Sequence, residues 1–218
     1  KTSEVELAAN YYFSILPKML SDEYDKSKKC IASAADRHAD LIFNFEFDQM
    51  SYMKRDTFPM YYFYPDSKFY KNDNKFINQL DIVIVHAPSS PILKGTQLVR
   101  AAIDKLLSEG YKFKYVEFTE ASNTVVLEHL KSASIVLNQF YSYVPGLFGI
   151  EAMASHCALL TSADEEIELG LPRGSNKAWM VTKHYEVYDN LKELLDSPSL
   201  AKQYADSGYE WALEHAAI

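Results

Sequence analysis

From about residue 80 to its end the chain reads as an α/β unit, a doubly wound parallel sheet. Ile82-Val83-Ile84-Val85 is a continuous β-branched run, the pattern of a strand buried on both faces. Short apolar runs recur four more times and alternate with segments of helical period, which implies βαβ units. With 48% hydrophobic residues in 218, the chain carries enough apolar material for a sizeable core.

Residues 5–38 read as mostly helical, with Pro17 interrupting, and Leu41-Ile42-Phe43 as a short strand. Phe58-Pro59-Met60-Tyr61-Tyr62-Phe63-Tyr64-Pro65 is an aromatic extended segment, and a polar loop follows through Lys75. That is the texture of a connection between structural units, or of an ordinary edge strand and loop. Met50 and Met53, beside Tyr52, are placed against the rest of a first domain. Past the run at 82–85, Leu98, Val99, Ala102, Ile103, Leu106 and Leu107 recur at helical spacing, and Gly110 ends that helix. Strands are expected at 115–118, 134–137, 157–160 and 179–181. Helices are expected at 97–109, 124–132, 150–155, 185–195 and 198–214.

The charge excludes some functions. There are 22 Lys+Arg against 30 Asp+Glu, a net −8, which argues against a broad phosphate-backbone interface and so against nucleic acid. The acidity lies mostly in the second part: residues 1–80 are net −1 and residues 81–218 net −7. No apolar run approaches the ~18 residues of a membrane span. Cys30 and Cys157 form no CxxC, so neither a disulfide framework nor a cysteine zinc site is available, and a reduced, cytosolic setting is expected. The start at Lys1 and the close on Ala216-Ala217-Ile218 read as a piece of a longer protein.

In a sheet of this kind ligands bind beyond the carboxyl ends of the strands. Two loops there stand out. In His86-Ala87-Pro88-Ser89-Ser90-Pro91-Ile92-Leu93-Lys94-Gly95-Thr96, a long loop runs from strand to helix. A helix N-terminus offers unpaired N–H groups, Lys94 a full positive charge, Gly95 a close backbone approach and Thr96 a cap, which together suit a diphosphate. The plain alternative makes Thr96 a cap and Lys94 a solvated charge. In the second loop, residues 138–150, Gly146 and Gly149 offer backbone N–H groups before a helix carrying Glu151. Glu151 either answers the helix dipole or accepts hydrogen bonds from a ribose.

These stretches, with His-Ala-Pro-Ser leading to Lys-Gly-Thr and Ser-Ala-Ser-Ile-Val-Leu-Asn-Gln leading to Gly-Ile-Glu-Ala-Met-Ala, resemble the C-terminal domain of GT-B glycosyltransferases of family 4. The resemblance covers about residues 80–218. It extends weakly upstream, where Ala39 to Asn44 looks like the end of an N-terminal domain and Tyr64-Pro65-Asp66 like the interdomain crossing. It implies residues 1–65 as the end of a first domain plus connection, and 66–218 as a Rossmann-like donor-binding domain. It also implies retaining transfer of a sugar from a UDP- or GDP-linked donor to a saccharide or lipid-linked acceptor, in surface polysaccharide assembly at the inner face of the membrane. No metal and no cofactor are implied. The donor site carries over onto His86, Ser89, Ser90, Lys94, Gly95, Thr96, Gln139, Gly146, Gly149 and Glu151, with Lys94 on the diphosphate and Glu151 on the ribose. Two positions depart: Ser89 stands where many members carry arginine, and Tyr143 where the first glutamate of E-x7-E is expected. With most of a first domain missing, the chain is expected to bind a nucleotide sugar weakly and to transfer nothing alone.

Two other functions stay open. A GT-B sugar-nucleotide epimerase calls for more acidic and histidine groups in the cleft. A non-catalytic nucleotide-binding or receiver-like module calls for a phosphoacceptor Asp at a strand's carboxyl end, and Asp81 sits at the other end. His38, His129, His156, His184 and His215 have no mutual metal-ligand spacing, and Asp164-Glu165-Glu166 with Glu168, which follows a strand, reads as a solvated acidic loop or as a contact to a sugar hydroxyl.

Overall fold

The computed structural model describes residues 18–44, 54–60, 62–77 and 82–218. The expected helix before Pro17, the Met50 and Met53 interface and Asp81 lie outside these residues.

Helix α1 (Lys18–His38) opens the described chain, with Arg37 and His38 in its last turn, where cations oppose the helix dipole. Strands β1 (Phe43–Asn44) and β2 (Phe58–Pro59) form a two-stranded parallel sheet. Arg55 ties this part together, its guanidinium donating to the carbonyls of Ala39 (2.7 Å) and Asp36 (3.3 Å). Residues 62–66 then run beside the chain's last residues: Tyr64 N–H donates to the Ala216 carbonyl at 2.7 Å, and Ile218 N–H to the Tyr64 carbonyl at 3.2 Å.

The second part is a five-stranded, all-parallel sheet. Its strands are β3 (Val83–His86), β4 (Lys114–Glu117), β5 (Ile135–Leu137), β6 (Ala158–Thr161) and β7 (Met180–Val181), in the order β4-β3-β5-β6-β7. The helices are α2 (Pro91–Lys94), α3 (Thr96–Ser108), α4 (Asn123–Leu130), α5 (Gly146–Ala154), α6 (Val187–Asp196) and α7 (Pro198–His215). This is the expected doubly wound α/β fold. Neighbouring strand residues face opposite layers. Val85, Val136 and Leu159 pack with Val126 and Leu130 of α4, Ile150 of α5 and Ala212 of α7. Ile84, Ile135, Leu137 and Leu160 pack with Val99 and Leu106 of α3 and Leu191 of α6. Burying each such side chain contributes about 1.5–3 kcal/mol, so both faces need a helical layer.

Among the polar groups buried in this packing is one lysine ammonium. Lys75, in the stretch read as a loop, is buried, and its ammonium donates to the carbonyls of Leu130 (3.1 Å), Ala133 (2.8 Å), Ser155 (2.6 Å) and His156 (3.2 Å). Those carbonyls follow the ends of α4 and α5, where orphan acceptors and the negative dipole end favour a cation. One ammonium thus anchors the far ends of two helices whose N-termini face the opposite edge of the sheet.

Candidate functional site

The order β4-β3-β5 makes a topological switch point, because the chain leaves β3 toward one side and β5 toward the other. A crevice opens beyond the strand ends at such a point. His86 joins the two ends: its Nδ1 donates to the Leu137 carbonyl at 2.7 Å. Nε2 must then accept, and it takes the Thr96 hydroxyl at 2.9 Å. Burial holds the His86 pKa below its ordinary value, which keeps this neutral tautomer. His86 and Thr96 are buried beneath the loop with their polar atoms turned to each other. Gly95, not Thr96, occupies the cap of α3, and no side chain caps that end.

The loop after β3 contains an additional short helix, α2, started by Pro91 and ended by Gly95. Gly95 has φ +73, and a Cβ there would lie 3.4 Å from both Phe140 and Tyr141, so glycine serves both backbone shape and close approach. This turn delivers Lys94 to the loop after β5. Its ammonium donates to Gln139 Oε1 at 2.5 Å, while the Gln139 amide nitrogen donates to the Val144 carbonyl. Burial pushes the Lys94 pKa down to about 8. Only one of its three protons is spent on Gln139.

On the second loop, Gly146 has φ +64 and begins α5. Gly149 lies inside the helix: a Cβ there would come 2.8 Å from Pro145 Cβ and 3.0 Å from Asn138 Nδ2, so it is a packing glycine. Asn138 in turn donates to the Pro145 carbonyl at 2.6 Å, fixing the turn before the helix. Glu151 is buried and accepts from Asn123 Nδ2 at 2.8 Å. Burial raises the Glu151 pKa against the opposing effect of that bond. Its charge adds to burial in pushing Tyr64 up to about 12.

Ser89, Lys94 and Glu151 line one cleft of about 540 Å³, whose remaining wall includes Phe118, Asn123 and Phe148. The size suits a nucleotide-scale ligand. Ser90 instead occupies the cap before α2, its carbonyl accepting from Lys94 N–H at 3.0 Å. Sequence reading missed Asn123 and residues 118–121. Their one signal was position, a loop after a strand of the same sheet. Glu120 in this loop has φ +59, an uncommon conformation for a side-chain-bearing residue.

Away from the cleft, Asp73, His156 and Asp206 bring one ligand atom each within 4.8 Å of one another. The Lys202 ammonium lies between the two carboxylates, at 2.9 Å and 2.6 Å, so this cluster is an ion-pair clasp joining residue 73 to α7. Among the described residues no helix is long and apolar enough to cross a membrane.

No protein-family model matches the chain, and no curated protein matches it. Solved structures do. WaaG, a glycosyltransferase involved in lipopolysaccharide biosynthesis, superposes with TM-score 0.55 at 12% identity, over 78% of this chain and 57% of that one. The fold is that of a GT-B Rossmann-like domain. An α-glucosyltransferase in complex with UDP and a DNA 13-mer containing an HMU base gives TM-score 0.51 at 12% identity, over 84% of this chain and 63% of that one. The C-terminal domain of a glycosyl transferase group 1 family protein, LpcC, from Francisella tularensis gives 0.45 at 18% identity, over 68% of this chain and 95% of that domain. The chain thus spans less than two thirds of the length of the first two.

Proposed function

We propose that the chain is the donor-binding part of a glycosyltransferase and holds a nucleotide-linked sugar in this cleft. One observation carries the reading: Lys94 and Glu151, more than fifty residues apart, line the same crevice at the switch point. In this reading the Lys94 ammonium and the N-terminus of α5 face the diphosphate, and Glu151, oriented by Asn123, accepts from ribose hydroxyls. Ser89 adds a hydroxyl to the same wall. His86 and Thr96 act behind the site, locking the ends of β3 and β5 so that the two loops keep their spacing.

A leaving nucleoside diphosphate gains negative charge as the sugar–oxygen bond breaks. A lysine whose partly desolvated ammonium already stands on the cleft wall stabilises the charge with little reorganisation. The finer expectations belong to this proposal: a family 4, retaining, hexosyl transfer without metal or cofactor, from a UDP- or GDP-linked donor to a saccharide or lipid-linked acceptor, in surface polysaccharide assembly in the cytoplasm at the membrane face. Residues 66–218 form the donor domain in this reading, and residues 1–65 the end of the first domain and its connection. The isolated chain binds the donor without transferring it, since groups from a first domain would complete the reacting centre.

The test is thermal melting of the chain with UDP, GDP and ADP. Stabilisation by one of these diphosphates supports the reading; no shift with any of them at millimolar concentration contradicts it.

A further inference from the structure

The carboxyl edge of the sheet holds a second, smaller cavity of about 60 Å³, built by the loops after β5, β6 and β7. Phe140, Tyr141, Tyr143 and Tyr185 line it, together with Ile167 and Val181. It shares a wall with the Lys94 turn, because Phe140 and Tyr141 are the side chains that pack over Gly95. It also begins one residue after Gln139, the partner of Lys94.

The order of strands gives the edge a direction. Residues 118–121 follow β4 and share the large cleft with Glu151, Lys94 and Gln139 follow the central strands β3 and β5, and the aromatic cavity lies toward β6 and β7. A nucleoside diphosphate with its ribose at Glu151 and its phosphates at Lys94 points whatever is attached to the outer phosphate toward this cavity. Its volume, about 60 Å³ against about 540 Å³ for the main cleft, matches one substituent of a sugar better than a second nucleotide-scale group. Aromatic faces with Ile167 and Val181 suit a methyl group, and Asp164, Lys183 and His184 give the same wall a polar side for an amide, while the Ser162 hydroxyl is held by the Ser142 and Gln139 carbonyls.

We infer that this cavity receives the acetamido group of an N-acetylated donor sugar. The inference rests on the nucleotide-sugar reading above and deepens it. A carboxylate at Tyr143, where the resemblance places one, would oppose an apolar methyl; the tyrosine ring presents a surface that fits it.

The test is calorimetric titration of the full chain with UDP, UDP-glucose and UDP-N-acetylglucosamine, repeated on Val181→Phe, which fills the cavity. The expected result is about tenfold tighter binding of the acetamido donor than of the hexose donor, abolished in Val181→Phe while UDP itself binds as in the parent. An unchanged melting temperature of the free variant shows that the filled cavity leaves the fold intact; should Val181→Phe melt early, Tyr143→Glu serves as the second variant, with the same loss expected. Equal affinities for the two donors in the parent overturn the inference, as does discrimination that survives in the folded variants. Failure of UDP to bind at all overturns the reading beneath it as well, which separates the two.

Discussion

The Lys94 ammonium and the Gln139 side-chain carbonyl meet at 2.5 Å, and this bond ties the turn after β3 to the loop after β5. It leaves the ammonium on the wall of a cleft shared with Glu151, partly removed from water, with Gln139 as its acceptor among the described residues. An anion in that cleft supplies what the lysine lacks.

Lys94→Met is expected to weaken UDP binding by on the order of tenfold to a hundredfold, the range for a charge-assisted hydrogen bond. Because the free protein holds Lys94 near pKa 8, an anion that raises this value binds with proton uptake above that pH. Affinity for UDP should fall as pH rises through about 8 in the parent and lose this dependence in Lys94→Met. Without nucleotide the sign differs. Between about 8 and the ordinary 10.5 the unfolded chain holds this proton more firmly than the folded one, so the group's contribution to stability rises with pH across that window. Titration calorimetry at several pH values checks the first effect, and urea midpoints the second.

Glu151→Gln keeps the shape and an acceptor for Asn123 but removes the charge that a ribose would share. Binding of UDP is expected to weaken about tenfold, while competition by inorganic pyrophosphate, which has no ribose, is unchanged. Equal losses for both ligands would place Glu151 away from the sugar.

His86 gives the protein an acid-sensitive joint. Its folded pKa lies below the ordinary 6.5, so the stability contributed by the neutral ring is complete above 6.5 and is lost as pH falls through the depressed folded value. Protonation puts a hydrogen on Nε2, which then no longer accepts from Thr96. His86→Gln should flatten the acid side of a plot of urea midpoint against pH.

Lys75→Met leaves the carbonyls of Leu130, Ala133, Ser155 and His156 without the ammonium, in a buried setting. The expected loss is at least about 3 kcal/mol, read as a lower midpoint in urea at unchanged slope.

Much of the fold was legible because apolar runs carry their own period. Ile82–Val85, Ser134–Leu137 and Cys157–Leu160 announced the central strands, and Leu98 to Leu107 the helix that follows the first. Residue pattern alone starts α5 at 150 rather than 146, since Gly146 and Gly149 hide helical period where α5 packs most closely. Helix α2 was not foreseen, being a single turn between a proline and a left-handed glycine. Partners were harder than positions. Lys94 and Glu151 could be picked out by type and place, but nothing local shows that Gln139 receives Lys94, that Asn123 holds Glu151, or that His86 turns both nitrogens inward. Lys75 looked like loop polarity because its acceptors come from two distant helix ends.

The central claim is that one nucleoside diphosphate spans the Lys94 and Glu151 walls. A crystal structure of the chain with UDP tests it most directly. The account expects phosphate oxygens within hydrogen-bond distance of Lys94 Nζ and ribose hydroxyls against the Glu151 carboxylate. UDP bound elsewhere on the molecule, with this cleft left to solvent, would contradict it.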